Sequence, residues 1–309
     1  MALAEGGWTS PEAGWALSVE PVGDVSILLD RLGALADGGP VVLGVDFPIG
    51  LPRAYAARHL GECAGFPDFL RGLADRPGFL SVCAAVEEVR PERPFYPMRG
   101  VRGMTRLSHA LALGLDSAAG LSRLCDGATA GRPAGAPLFW TLGANQTGKA
   151  AISAWRDLLL PALAGPRPPA LWPFDGALLP LLQADRVVIA ETYPAEAMRQ
   201  LGLRMGGSKR RHADRLALVP AIRASMAALS ARPDLALERL LAGGFGQDAA
   251  GEDRMDCVLG LLCVLQVLAG RRPDTVPDDP WVQHWEGWVL GQASPCPRDL
   301  APRPAWRET

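Results

Sequence analysis

An α/β fold, a mixed sheet flanked by helices, is what this sequence predicts, and three stretches predict it. Val41-Val-Leu-Gly-Val45 and Arg186-Val-Val-Ile-Ala190 are short apolar runs rich in β-branched residues, the pattern of buried strands. Each delivers a carboxylate at its exit, Asp46 and Glu191, shortly before a proline. The stretch from Glu252 to Ala269 is apolar on nearly every face beyond its first turn, as a helix enclosed by other layers must be.

Taken in order, Gly14 to Pro21 alternates as an edge strand or half a hairpin would. Asp24 to Asp37 carries apolar residues at helical spacing, with Asp24 as N-cap and Gly38-Gly39 as the stop. The Asp46 strand follows, and Pro48, Gly50 and Pro52 then forbid regular structure. From about 53 to 135 helical pieces broken by Gly and Pro form an insertion, closed by a flexible surface connection over 127–137. Within it, five arginines between Arg90 and Arg106 surround Phe95 and Tyr96, a composition suited to phosphates or a stacked base as well as to a solvated loop. Pro137 to Gly143 reads as a strand leading into a helix around Trp155. A helix with Glu196 in its first turn follows Pro194, and the basic segment Lys209 to Arg215 opens a long helical region. The Pro- and Trp-rich tail, 271–309, wraps the surface. No internal repeat is visible, and 1–309 reads as a single domain.

Bulk properties narrow the function classes. The chain has 309 residues and a formal net charge of −2, so no global basic field points to nucleic acid, and any such contact is local. No apolar run approaches a membrane span, and the N-terminus lacks the basic segment and apolar core of a signal peptide. The six cysteines are scattered without a C-x-x-C pair, which argues against structural zinc and for reduced thiols. A cytoplasmic protein is expected.

The chemistry predicted rests on carboxylates. Asp253 and Asp256 lie three apart at the start of the enclosed helix and share a face, with Glu252 beside them. With Asp46 and Glu191 they form a set of acidic residues at the ends of buried elements. Two parallel-type strands would bring their exits to one edge of a sheet. Hard oxygen ligands of this kind suit Mg²⁺ or Mn²⁺, which can activate water and stabilise the leaving oxygen of a phosphodiester. Asp46, Glu191, Asp253 and Asp256 are the candidates to hold such an ion and carry the catalysis. Lys149, Lys209, Arg211 and Arg215 are the expected phosphate contacts. Gly143 to Ala150 falls one residue short of a P-loop, because Ala150 stands where a hydroxyl would hold Mg²⁺. The four histidines show no metal spacing, and His212 beside the arginines is a candidate proton carrier.

Asp46-Phe-Pro-Ile-Gly-Leu-Pro52, Glu191-Thr-Tyr-Pro-Ala-Glu196, Lys209 to Arg215, Asp253-Arg-Met-Asp256 and Glu286-Gly-Trp-Val-Leu-Gly291 occur in that order. Together they resemble the domain of unknown function 429 family, whose members are predicted ribonuclease H-like nucleases. The resemblance spans about 41 to 291 and implies a ribonuclease H-like sheet with acidic residues at its centre. Asp253-x-x-Asp256 is also similar to the last acidic motif of Holliday-junction resolvases, which implies that Asp256 binds metal and Asp253 neighbours it. The chain departs from the pattern at its start. Gly6-Gly-Trp8 and Gly14-Trp15 look like hairpin remnants, but no Asp precedes Asp24, so an incomplete first strand is expected.

The function expected is therefore a metal-dependent phosphodiester hydrolase. The alternatives are a non-catalytic nucleic-acid-binding or scaffold protein that kept the fold and lost a ligand, and a phosphate- or nucleotide-binding protein using the Gly143–Ala150 loop.

Overall fold

The computed structural model describes residues 2–10, 13–129, 132–143 and 147–293. It is an α/β structure with two short sheets. The chain opens with a hairpin, β1 (Ala2–Ser10) antiparallel to β2 (Gly14–Pro21), which turns the half-hairpin reading of 14–21 into a full one. Helix α1 (Val25–Ala36) begins where predicted: the Asp24 carboxylate accepts the Ser26 N–H at 2.8 Å. Strand β3 (Val41–Val45) follows and ends at Asp46.

The insertion contains α2 (Arg53–His59), α3 (Phe66–Arg71) and α4 (Arg106–Ala112), joined by turns. Residues 137–143 form no strand, only a single bridge from Trp140 to Tyr96. Phe95 and Tyr96 are buried in the core, so neither is available to stack a base. Helix α5 (Thr147–Ala154) continues through a wide turn at Trp155–Leu159 into α6 (Leu160–Ala164). Then come β4 (Ala170–Leu171), α7 (Leu178–Leu181), β5 (Val187–Glu191) and α8 (Pro194–Gln200). The chain proceeds through α9 (His212–Ala228), β6 (Ala231–Pro233), α10 (Leu235–Ala242) and α11 (Ala250–Leu268).

One sheet has the order β1-β2-β6, with β6 parallel to β2; the other has the order β3-β5-β4, all parallel. The enclosed helix α11 packs on β1, β2 and β3, and α8 lies beside it. Leu43, Val45 and Ile189 turn the other way, into a core shared with α1 and the insertion. The tail does not merely wrap the surface: Trp281, Val282, Trp285, Trp288, Val289 and Leu290 are buried in the core, and its course over 294–309 lies outside the described residues.

Three motifs that carried the family resemblance, those at 46–52, 191–196 and 286–291, pack backbone against backbone. Leu51 N–H donates to Trp285 O at 2.7 Å and Leu290 N–H to Glu191 O at 2.8 Å. Gly50 and Gly287 both have positive φ, and a Cβ on either would collide with a carbonyl oxygen of the facing segment, that of Glu286 or Ile49. This part of the motif pattern answers to packing. Among the described residues no helix is long and apolar enough to cross a membrane.

Candidate functional site

A cavity of about 390 Å³ separates β1 from β3. Leu261 and Val264 of α11 line it, and Ala150 and Ala154 of α5 form another part of its wall. Its polar side chains include Asp46, Asp253 and Asp256. Asp46 arrives there because side chains alternate along a strand: Gly44 lies against α11, where an added Cβ would meet Val264 at 3.0 Å, and Asp46 follows two residues later on the same face. Asp253 and Asp256 arrive from the first turns of α11, three apart and so on one side.

The carboxylates perturb one another. Asp46 is open to water through the cavity, yet its carboxyl is pushed up to about 7, first by the surrounding protein wall and then by Asp256; Lys209 pulls the other way. Asp256 is pushed up to about 6 by burial, although Lys209 Nζ donates to both its oxygens at 2.6 Å; Glu252 and Asp253 add to the rise. Lys209 is thus bound to a cavity carboxylate, and the cation predicted to meet phosphate already neutralises Asp256.

Glu191 does not join them. Strands β3 and β5 pair in parallel with Val45 opposite Glu191, so Glu191 shares the face of Val45, and Asp46, one residue on, takes the other. On its own face Glu191 is enclosed. Arg123 grips it with Nη1 to Oε2 at 2.6 Å and Nη2 to Oε1 at 2.7 Å, and Ile49 N–H donates to Oε2 at 2.8 Å. Burial raises its carboxyl above the ordinary range while Arg123 opposes the rise. The expected ligand trio of Asp46, Glu191 and Asp256 is therefore corrected: its members do not bring ligand atoms within 4.8 Å of one another.

Among the described residues one group does so, Cys125, Asp126 and Glu191. Arg123 lies within it, bonded to Asp126 at 2.9 Å as well as to Glu191, and burial holds the Cys125 thiol well above its usual range. A guanidinium already supplies the positive charge, and a protonated thiol is a poor ligand for Mg²⁺ or Mn²⁺. These residues fit an internal ion pair. Asp46, Asp253 and Asp256 are hard oxygen donors on one cavity, but as a trio they too do not bring ligand atoms within 4.8 Å of one another.

The remaining predicted residues are dispersed. Arg215 is buried and donates to the carbonyls of Lys209 (2.6 Å), Arg210 (3.1 Å) and Gly246 (2.5 Å), so it ties the basic segment to the start of α11 and is not a phosphate contact. Arg211 is exposed and pairs with Asp214 at 2.5 Å. His212 Nε2 is 2.9 Å from Gly243 O, which explains its place by helix-end packing. Glu196 is buried against Arg132 and Arg199. Lys149 is exposed on α5, next to the cavity-lining Ala150; residues 144–146 of the near-P-loop lie outside the described residues.

Sequence reasoning missed Arg123 and Arg53, the latter bonded to Asp279 at 3.0 Å and Glu286 at 2.6 Å. Neither sits in a motif that marks it. It also missed Thr192 and Cys257, which line the cavity; Cys257 follows Asp256 directly and is the one that proximity could have flagged. No protein-family description matches the chain. No curated protein matches it. No solved structure matches it either.

Proposed function

We propose that the protein is a metal-dependent phosphodiester hydrolase that holds Mg²⁺ or Mn²⁺ through Asp46 and Asp256 with Asp253 beside them. The observation that supports it is the convergence of these carboxylates, from a strand end and a distant helix start, on one cavity. Burial first and neighbouring carboxylates after it raise the pKa of Asp46 and of Asp256, and a divalent ion would favour their charged forms. The resemblance to the domain of unknown function 429 family points the same way. In this reading Glu191 is a structural ion-pair partner, and the proposed phosphate contacts reduce to Lys149, Lys209 and Arg211. Nucleic acid is the substrate class that these local cations suit, and the cytoplasm its proposed location.

The test is calorimetry with Mn²⁺ on the whole chain and on Asp46→Asn, followed by hydrolysis assays on single- and double-stranded DNA and RNA. Specific uptake abolished by Asp46→Asn, with hydrolysis lost in parallel, is the expected result. Equal uptake by both proteins removes Asp46 from the site.

A second reading, a non-catalytic protein on the same scaffold, is favoured by the grip of Lys209 on Asp256, which supplies internally the charge that a metal would bring. In that case Mn²⁺ finds no specific site in either protein.

A further inference from the structure

Burial of Phe95 and Tyr96 leaves the arginines that follow them at the surface. Arg93 is already engaged, by Glu88 at 3.1 Å and by Val82 O at 3.0 Å. Arg99, Arg102 and Arg106 are exposed and form no ion pair among the described residues. The turn at Val86–Glu88 packs on α4, so Glu87 is a counter-charge on this side, one carboxylate against three arginines.

An aromatic ring and a fourth cation join them. Trp140 is half-buried, and the Arg106 guanidinium lies over its ring, 5.7 Å from the centroid. The loop that carries Arg99 and Arg102 is tied to the neighbouring residue, since Thr141 Oγ1 donates to Pro97 O. Within that loop Val101 N–H closes a turn on Met98 O at 3.4 Å. From the other side Gly148 N–H donates to Trp140 O at 3.2 Å, and an added Cβ at Gly148 would meet the same oxygen at 2.8 Å. Helix α5 thus begins against Trp140, and Lys149, exposed and without an ion pair among the described residues, stands beside it. Ala150, Ser153 and Ala154 of the same helix line the cavity of Asp46 and Asp256. The first turns of α5 therefore touch both the basic surface and the carboxylates.

We propose that this surface binds a single strand of nucleic acid, with phosphates on Arg99, Arg102 and Lys149 and a base stacked at the Trp140–Arg106 pair. Cations without carboxylate partners, spread over a loop and a helix start, suit a chain of phosphates better than one small anion. A half-buried ring beside a guanidinium offers a flat face, and only a base free of its complement can reach it. A membrane fits less well, although Met98 and Leu107 are exposed. Trp140 is held at 6.5 Å from the Tyr96 ring and 6.2 Å from that of His109, and does not project as an interfacial anchor would. The proposal names the form of the substrate, and rests on the hydrolase reading only for the strand's course along α5 into the cavity.

Fluorescence anisotropy of the full chain with labelled dodecathymidylate tests it, in EDTA so that binding is read without hydrolysis. Three phosphate contacts give a slope of log K against log salt of about −2, which falls to about −0.7 in the Arg99→Ser, Arg102→Ser double variant. Arg106→Ser, which leaves the ring in place, weakens binding about tenfold, and a duplex of the same length binds about tenfold more weakly than the single strand. A 4-thiothymidine in the oligonucleotide cross-links to Trp140 or to residues 97–106. Absence of binding at millimolar oligonucleotide, a salt slope unchanged in the double variant, equal affinity for the duplex, or cross-links elsewhere overturns the proposal. So does binding to phosphatidylserine vesicles that the double variant abolishes, with the oligonucleotide ignored. Failure of the hydrolase reading looks different: Mn²⁺ finds no specific site, yet the oligonucleotide binds with the expected slope, and the surface stands as a binding site alone.

Discussion

Asp46 and Glu191 end adjacent parallel strands, separated by a single residue of register, yet live in opposite surroundings. Asp46 faces α11 and a cavity open to water, with Asp256 and Asp253 as neighbours. Glu191 faces the insertion and is sealed by the Arg123 guanidinium and the Ile49 N–H. A buried carboxylate must be paired, and one at a cavity mouth need not be, so burial makes Glu191 part of an internal ion pair and leaves Asp46 facing the cavity. Two acidic residues with the same local sequence pattern thus meet different surroundings because a strand has two faces.

The sharpest way to break that contrast is to remove the arginine. Arg123→Met leaves Glu191 and Asp126 without their cation and should cost about 3–5 kcal/mol in urea denaturation. A loss near zero would mean that the pair is dispensable. Glu191→Gln should cost less, about 1.5–3 kcal/mol, because Arg123 keeps Asp126, and should leave Mn²⁺ titration as in the parent. If Glu191→Gln instead abolished Mn²⁺ uptake while the fold held, the two faces would not be separate in function.

Asp46→Asn should go the other way. The folded pKa of Asp46, about 7, lies above its ordinary 3.8, so the native state holds that proton more tightly than the unfolded chain. The associated stability is fully present below 3.8 and is lost as pH rises through about 7; Asp256 adds a similar loss that is complete by about 6. Asp46→Asn removes its share, so the variant should exceed the parent by about 1 kcal/mol above neutrality and match it in acid, a gain held small by the water that reaches the carboxylate. Urea midpoints at the two extremes of pH decide this. The smallest effect belongs to Lys209→Met, about 0.5–1 kcal/mol for a partly exposed pair. It should also tighten Mn²⁺ binding, because the ion no longer competes with the ammonium for Asp256; weaker Mn²⁺ binding would place Lys209 among the groups that support the site.

Much of the layout was legible locally. The β-branched runs at 41–45 and 187–191 became β3 and β5, Asp24 capped its helix, and the uniformly apolar stretch became the enclosed α11. These features depend on residues within a few positions of one another. Pro137 to Gly143 misled because an apolar run reads alike whether it pairs as a strand or packs as a turn; Leu138 and Phe139 are core residues of the second kind. Phe95 and Tyr96 misled for the same reason, since aromatic residues between arginines look like a stacking platform until their burial is known.

The candidate site was legible only in part. Asp46, Asp253 and Asp256 stand out in the sequence by their places at element ends, and they share a cavity. Arg123 could not be named, because nothing in Ser122-Arg-Leu-Cys-Asp126 distinguishes it from a surface arginine until the fold brings Glu191 to it.

By itself, then, the sequence determined the strands at 41–45 and 187–191, the helices at 24–37 and 252–269, and which carboxylates stand at their ends, since propensity, periodicity and capping act over short range. Only the tertiary structure decided which carboxylates meet. The register that sets Val45 against Glu191 turns Glu191 away from Asp46, and a shift of one residue would have put both on the same face. The surface around Trp140 belongs to the same category, because its cations lie on segments that only the fold brings together.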